Sequence, residues 1–415
     1  MARIQPAQPE AYEPGREPGR GRRAARYAVP VAVAGIAAAT ISLVPALADS
    51  GDPALPTVTA EQLLTKIAAS DTRTVDGTVK IETDLGLPSA LSGGAGSLFG
   101  GSGAPSLPGA GSGDSPAAPQ GQLTQLLIGS HQLHVATDGP DKQKLSIIEP
   151  AAEYSVIHNG DQLWGYDSKS DQAYHQTLPQ DSAGARQRPE DFPATPQAAA
   201  KEVLKAADGT ASITVDGTAK VAGRSAYVLL VTPQHAQRTT VGSVRIAVDA
   251  KTGVPLKLTL TPTSGGKAVF DVGFTKVGFA KPAASTFTFA PGKGVKVTEG
   301  GKAGAQARQD LPENALPRPA GSAARPTVLG SGWDTIAVIR TGGGLPSGAQ
   351  KNGPDKDAES LLNSFGKKVT GSFGSGTLFH TRLVNALLTD DGTLYAGAVT
   401  PAALTDAANA ANAAK

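Results

Sequence analysis

The chain has no cysteine. That absence excludes a disulfide, a thiol nucleophile, a thiolate metal site and a lipid-modified N-terminal cysteine. Aromatic residues are scarce, with two Trp, seven Tyr and ten Phe among 415 residues. Charge of one sign is lacking as well: 38 Lys and Arg against 36 Asp and Glu leave a net charge of +2. After residue 30 the two signs are interspersed, so the sequence carries no electrostatic footprint for nucleic acid. In excess are 50 glycines and 31 prolines. Both weaken helix and strand interiors and belong in linkers and turns, so the ordered part is smaller than the length suggests. The length allows two or three domains, and the composition argues against one large core.

The N-terminus is basic over residues 1–26, with Arg16, Arg20, Arg22, Arg23 and Arg26 ahead of an uncharged run from Tyr27 to Leu47. Ala46-Leu47-Ala48 places small residues at the two positions that a signal peptidase reads. Residues 27–48 are therefore expected to be a signal peptide or a membrane anchor, with 1–26 as a cytoplasmic N-region. About twenty residues at ~1.5 Å each just span a bilayer. The expected location is extracytoplasmic, cleaved or N-terminally anchored.

TAEQLLTKIAA (59–69) opens with a threonine suited to a helix N-cap and spaces Leu63, Leu64 and Ile67 helically. VDGTVKIET (75–83) alternates, with Val75, Gly77, Val79 and Ile81 on one face. A second helix over Gln197–Ala207 leads into VDGTAKV, a local echo of VDGTVKI. Between them, residues 86–122 are dominated by Gly, Ser, Pro and Ala and predict a flexible insertion. From His131 to Phe289 the chain reads as antiparallel strands (QLHVAT, KLSIIE, YSVIH, QLWGY, QAYHQ, SAYVLLVT, SVRIAVD, PLKLTL, KAVFDVGFTKVGF, STFTF) joined by short turns such as HNGD, DSKSD and DAKTG. A linker follows over 299–326. The remainder, 327–403, predicts a small C-terminal α/β module: a strand around Trp333, a helix over DKDAESLLNSF and a hairpin turning at Asp391-Gly392, followed by a helix or tail, 404–415.

HNGDQLWGYDSKSDQAYH (158–175) concentrates aspartates and histidines and invites a metal-site reading. DSKSDQAYHQTL lacks the central glycine and distal glutamate of a calcium loop, so Asp161, Asp167 and Asp171 read as turn-formers. His131 and His134 lie three apart on a strand and point to opposite faces. Ser375 and His380 lack a nucleophile-elbow signature, and SGGKAV lacks phosphate-loop spacing. No enzyme, metal or cofactor is expected. A curved sheet lined with Leu, Val and Ile, with few aromatic fillers, either leaves an apolar cavity or is simply core.

NGDQLWGYDSKSDQAYHQTLP, VDAKTGVPLKLTLTP and KAVFDVGFTKVGFAKPAASTFTFAPGKGVKV, in that order, resemble the LolA-like superfamily of lipoprotein carriers and the N-terminal domain of RseB/MucB-type regulators. The resemblance covers residues 59–298, interrupted by the insertion. It implies a mainly β (α+β) fold: a strongly curved, half-open antiparallel β-barrel with a helical lid over an apolar cavity, and no catalysis. The expected function is an extracytoplasmic, monomeric carrier of lipid or lipoprotein acyl chains. Candidate lipid-binding residues are Leu63, Leu64, Ile67, Val79, Ile81, Leu123, Leu126, Leu127, Trp164 and Tyr166. VLGSGWDTIAVIR to GTLYAGAVT resembles the C-terminal domain of RseB-type regulators, which implies the alternative: an envelope-stress sensor engaging a membrane partner such as an anti-sigma factor.

Overall fold

The computed structural model describes residues 53–86, 129–178, 195–207, 209–234, 237–300, 327–340 and 366–413, together with Ser115, Ala117, Ala118, Pro119, Gln122 and Leu126. The basic N-region, the export segment, the helix expected over 355–365, Leu123 and Leu127 lie outside the described residues.

Helix α1 (Ala60–Ala68) starts where the sequence predicts. The Thr59 hydroxyl accepts from the Gln62 N–H while the Gln62 side chain accepts from the Thr59 N–H, a capping box satisfying two otherwise orphan donors. Strands β1 (Thr74–Thr83), β2 (Gly129–Asp138), β3 (Lys142–Glu149), β4 (Ala152–Asn159), β5 (Gln162–Asp167) and β6 (Gln172–Thr177) then follow as a meander. Helix α2 (Pro196–Ala207), capped by the Thr195 hydroxyl on the Ala198 N–H, precedes β7 (Ala211–Val221), β8 (Arg224–Pro233), β9 (Val241–Asp249), β10 (Pro255–Pro262), β11 (Phe270–Gly278) and β12 (Lys296–Glu299).

These twelve strands form one open sheet, ordered β12-β6-β5-β4-β3-β2-β1-β11-β10-β9-β8-β7. It is an open curved sheet rather than a barrel. Side chains from β2 to β4 (Leu133, Ile147, Val156) and from β8 to β10 (Leu229, Ile246, Leu258) share a single apolar cluster on its inner face. Two details depart from expectation. β12 runs parallel to β6, so the sheet is not wholly antiparallel. STFTF is not a strand: Ala284–Phe287 is a 3-10 turn lying against β3 and β4. Pro282 and Pro291 bracket the segment and keep it out of a ladder.

The two VDGT copies serve different ends. A Cβ on Gly77 would lie 2.5 Å from the Lys276 carbonyl oxygen, so Gly77 permits close approach of β11. Gly217 adopts φ +99° at a bulge against β8.

The second sheet is six-stranded and antiparallel: β13 (Thr327–Leu329), β14 (Ile336–Arg340), β15 (Gly366–Gly371), β16 (Gly374–Phe379), β17 (Asn385–Thr389) and β18 (Thr393–Gly397), ordered β13-β14-β18-β17-β16-β15. Trp333 lies in a 3-10 turn (Gly332–Asp334), not in a strand. Helix α3 (Pro401–Ala413) buries Ala403, Leu404 and Ala408 against Ile336, Leu387 and Tyr395, so the expected tail, as far as residue 413, packs on this core as a helix.

Candidate functional site

The inner face of the twelve-stranded sheet takes its character from strand alternation. Val79 and Ile81 on β1 and Leu133 on β2 are each fully buried and join Leu126 and Leu63 of α1 in the inner cluster. Leu64 and Ile67 pack against the same cluster while staying partly exposed. Six of the ten predicted residues are thus brought together: Leu63, Leu64, Ile67, Val79, Ile81 and Leu126. Trp164 and Tyr166 are not among them. Alternation on β5 turns Leu163 inward and places both rings on the outer face, opposite Ile157 and Ser155 of β4.

The two helices cover the inner face with little side-chain bulk. α2 buries Ala199, Ala200 and Ala207, with Val203 and Leu204 only partly covered. α1 buries Leu63 alone. Besides this packing, α1 is tethered at both ends. Ahead of it, the Thr218 hydroxyl donates to the Pro53 carbonyl (3.0 Å) and the Tyr227 hydroxyl to the Pro56 carbonyl (2.9 Å). At its other end Lys66 Nζ donates to the Ala250 carbonyl in the β9–β10 turn. The end of the Gly-rich insertion also reaches the inner face: Ser115, Ala117 and Pro119 are buried, and Tyr154 donates its hydroxyl to the Ala117 carbonyl (3.1 Å). Burial pushes that phenol far up, so it remains a neutral donor. Gly165 is obligatory beside it, since a Cβ there would sit 2.2 Å from the Ala117 oxygen.

The turns account for the acidic residues. Asp167 accepts from the Lys169 N–H (3.0 Å) and the Ser170 hydroxyl (2.6 Å). Asp171 adopts φ +51° and accepts from the Tyr166 hydroxyl (3.1 Å). In DAKTG, Asp249 is 1% exposed and accepts from the Lys251 and Thr252 N–H groups and the Thr252 hydroxyl, while Arg224 grips it through Nε (2.5 Å) and Nη2 (3.1 Å). Burial would raise this carboxyl, but the hydrogen bonds from Arg224 and Thr252 and the Arg224 charge prevail and hold it below the usual range. His134 faces outward to Asp76 (3.2 Å), whereas His131 stands opposite Ile81 on the inner side. Ser375 donates to Asp390, and His380 bonds Asn385 (2.8 Å). Among the described residues no group of three His, Asp or Glu side chains is arranged to hold a metal ion, and no helix is long and apolar enough to cross a membrane.

The two sheets are joined by named contacts. Arg382 pairs with Asp84 (2.8 Å) and donates its backbone N–H to the Leu85 carbonyl (3.0 Å). Thr239 bridges to Val399. Trp333 packs against the inner cluster of the first sheet, and its neighbour Gly332 abuts the Ala206 carbonyl of α2. Its indole N–H is buried without an acceptor among the described residues. Sequence reasoning reached Trp333 as a strand residue and missed this contact. The Gly330-Ser331-Gly332 run ahead of it, two of whose members take positive φ, was the available signal.

No family model matches the sequence, and no curated protein matches it. Solved structures do. The chain is similar to the MucA/MucB complex of Pseudomonas aeruginosa, at 16% identity over 84% of this chain and 96% of that one, with a TM-score of 0.38. It is similar to MucB alone at 14% identity over 85% and 96%, TM-score 0.37. A LolA superfamily protein from Nitrosomonas europaea is 14% identical over 56% of this chain and 99% of its own, TM-score 0.20.

Proposed function

We infer that the protein is an exported binding module that holds the acyl chains of a lipid or lipoprotein against the inner face of its twelve-stranded sheet, beneath α1 and α2. One observation carries this reading: the inner face is apolar, mostly aliphatic with a few rings, and the helix over part of it contributes a single fully buried side chain, Leu63. Burying one leucine is worth about 1.5–3 kcal/mol, whereas an acyl chain gains about 0.8 kcal/mol per buried CH2, roughly 10 kcal/mol for a dozen. Leu64 and Ile67 add their partly buried surface to the helix side of this balance, so a chain that displaces α1 has to outweigh all three together with its own ordering cost. The end tethers at Pro53, Pro56 and Lys66 would keep α1 attached as it lifts. The test is displacement of a fluorescent fatty acid from the purified protein. Saturable binding that weakens in Leu63→Asp and survives in Lys80→Ala, on the outer face, supports the site; no binding sinks it.

A sensor role is the second reading, favoured by Trp333. Because this residue of the second sheet reaches the inner cluster beside α2, a ligand that moves α2 would shift the second sheet. The partner would be a membrane protein such as an anti-sigma factor. Trp333→Ala is expected to leave fatty-acid binding intact while abolishing any ligand-dependent change in partner affinity; equal ligand dependence in both proteins would dismiss the coupling.

A further inference from the structure

We propose that the outer face of β3–β5 carries a second binding site, independent of the apolar one, that takes a pyranose ring of a glycan. In a chain poor in aromatics, three rings gather on this face. Trp164 and Phe289 lie 5.3 Å apart and Tyr166 and Phe289 5.2 Å apart, forming one continuous ledge of partly exposed rings. The inner cluster holds rings as well, but Tyr154, Tyr227 and Phe274 there are buried. Partly exposed rings on the face away from the core offer a surface on which a ligand can stack.

Side chains on the same face brace the ledge from beside it. Trp164 stacks on His175 at 4.1 Å and 24°. His175 Nε2 meets Gln162 Oε1 (2.6 Å), and Nδ1 meets Glu299 (3.0 Å). Gln162 is itself oriented by donating to Asp161 (2.9 Å). Tyr166 is anchored through its hydroxyl on Asp171. Rings fixed in this way lose little freedom when a ligand lands on them.

Tyr166 and Phe289 of the ledge line a cavity of about 280 Å3 together with Ile157 and Thr286. Lys144 and Glu153, 3.9 Å apart, line it as well. Burial would raise the Glu153 carboxyl, but hydrogen bonds from Ser155 and Ser146 and the charges of Lys144 and His134 keep it lowered and ionised. The site thus combines apolar ring surface with a cationic donor, Lys144, and an ionised acceptor, Glu153. A pyranose presents the complementary pair, a C–H face and an edge of hydroxyls. An acyl chain does not suit it, since it would desolvate Lys144 and Glu153 against methylenes.

The test is calorimetry and saturation-transfer NMR on the full chain with triacetylchitotriose and maltotriose as probes, alongside fatty-acid binding. Saturable binding of either sugar is expected, weakened at least about tenfold in Phe289→Ala and in Tyr166→Ala. Fatty-acid binding and thermal stability should stay unchanged in Tyr166→Ala, whose ring lies on the outer face away from the inner cluster. No saturable binding of either sugar, or equal binding in both variants, overturns the proposal. So does loss of fatty-acid binding in those variants without sugar binding, which would assign the ledge to the apolar ligand.

Discussion

The carbonyl oxygen of Lys66, in the last turn of α1, lies against Gly253 in the β9–β10 turn, where a Cβ would come within 2.5 Å of it. Gly253 also holds φ +74°, a conformation that L side chains resist. The turn on which α1 rests thus requires glycine for two reasons. Gly253→Ala should destabilise the fold by about 1–3 kcal/mol. Urea unfolding should show a lower midpoint at unchanged slope.

Asp249 holds the same turn from within. Its carboxyl is depressed in the folded state, so it stabilises the fold above the unfolded value of about 4 and loses that contribution as pH falls through the folded value. Asp249→Asn should cost about 3 kcal/mol at neutral pH by leaving Arg224 without its buried partner. The variant's stability should also fall less steeply on acidification. Melting temperatures measured across the acid range check both statements.

These two residues mark what was legible in the sequence. DAKTG announces a tight turn because Asp, Thr and Gly each have a local role there. VDGTVKIET announces its inward face because period-2 alternation survives folding intact. TAEQLL announces its cap. What could not be read depends on contacts distant in sequence. Alternation separated Trp164 and Tyr166 from Leu163 but could not say which side was core; α1 and α2, far along the chain, decide it. STFTF has strand composition, and only the packing of Phe287 and Phe289 over β3–β5 shows it as a clasp. The site divided in the same way: the β1 and α1 residues were found by periodicity, while Trp333 and Phe289 reach their places through tertiary contact.

Leu63 and Leu64 are neighbours with opposite roles. Leu63→Ala should cost about 2–3 kcal/mol, as for a buried leucine in a partly collapsible site. Leu64, partly exposed, tolerates replacement. Because the chain has no native cysteine, Leu64→Cys supplies a unique thiol on α1. Its labelling by a maleimide should slow when fatty acid occupies the inner face, and an unchanged rate would place the ligand elsewhere.

Arg382 ties the two sheets through Asp84, but that carboxylate is 59% exposed. Such a pair is worth little, so a double-mutant cycle of Arg382→Ala with Asp84→Ala should give a coupling of about 0.5 kcal/mol. Arg382→Ala alone should cost more, since Arg382 also donates to the Asp84 and Lys267 carbonyls. Chemical denaturation of the three variants measures both quantities.

The central claim is that the aliphatic inner face holds acyl chains. Native mass spectrometry of the protein purified from its own membranes tests it most directly. The account predicts a population carrying a lipid mass that is lost in Leu63→Asp. Protein free of lipid that also takes up no added fatty acid would contradict it.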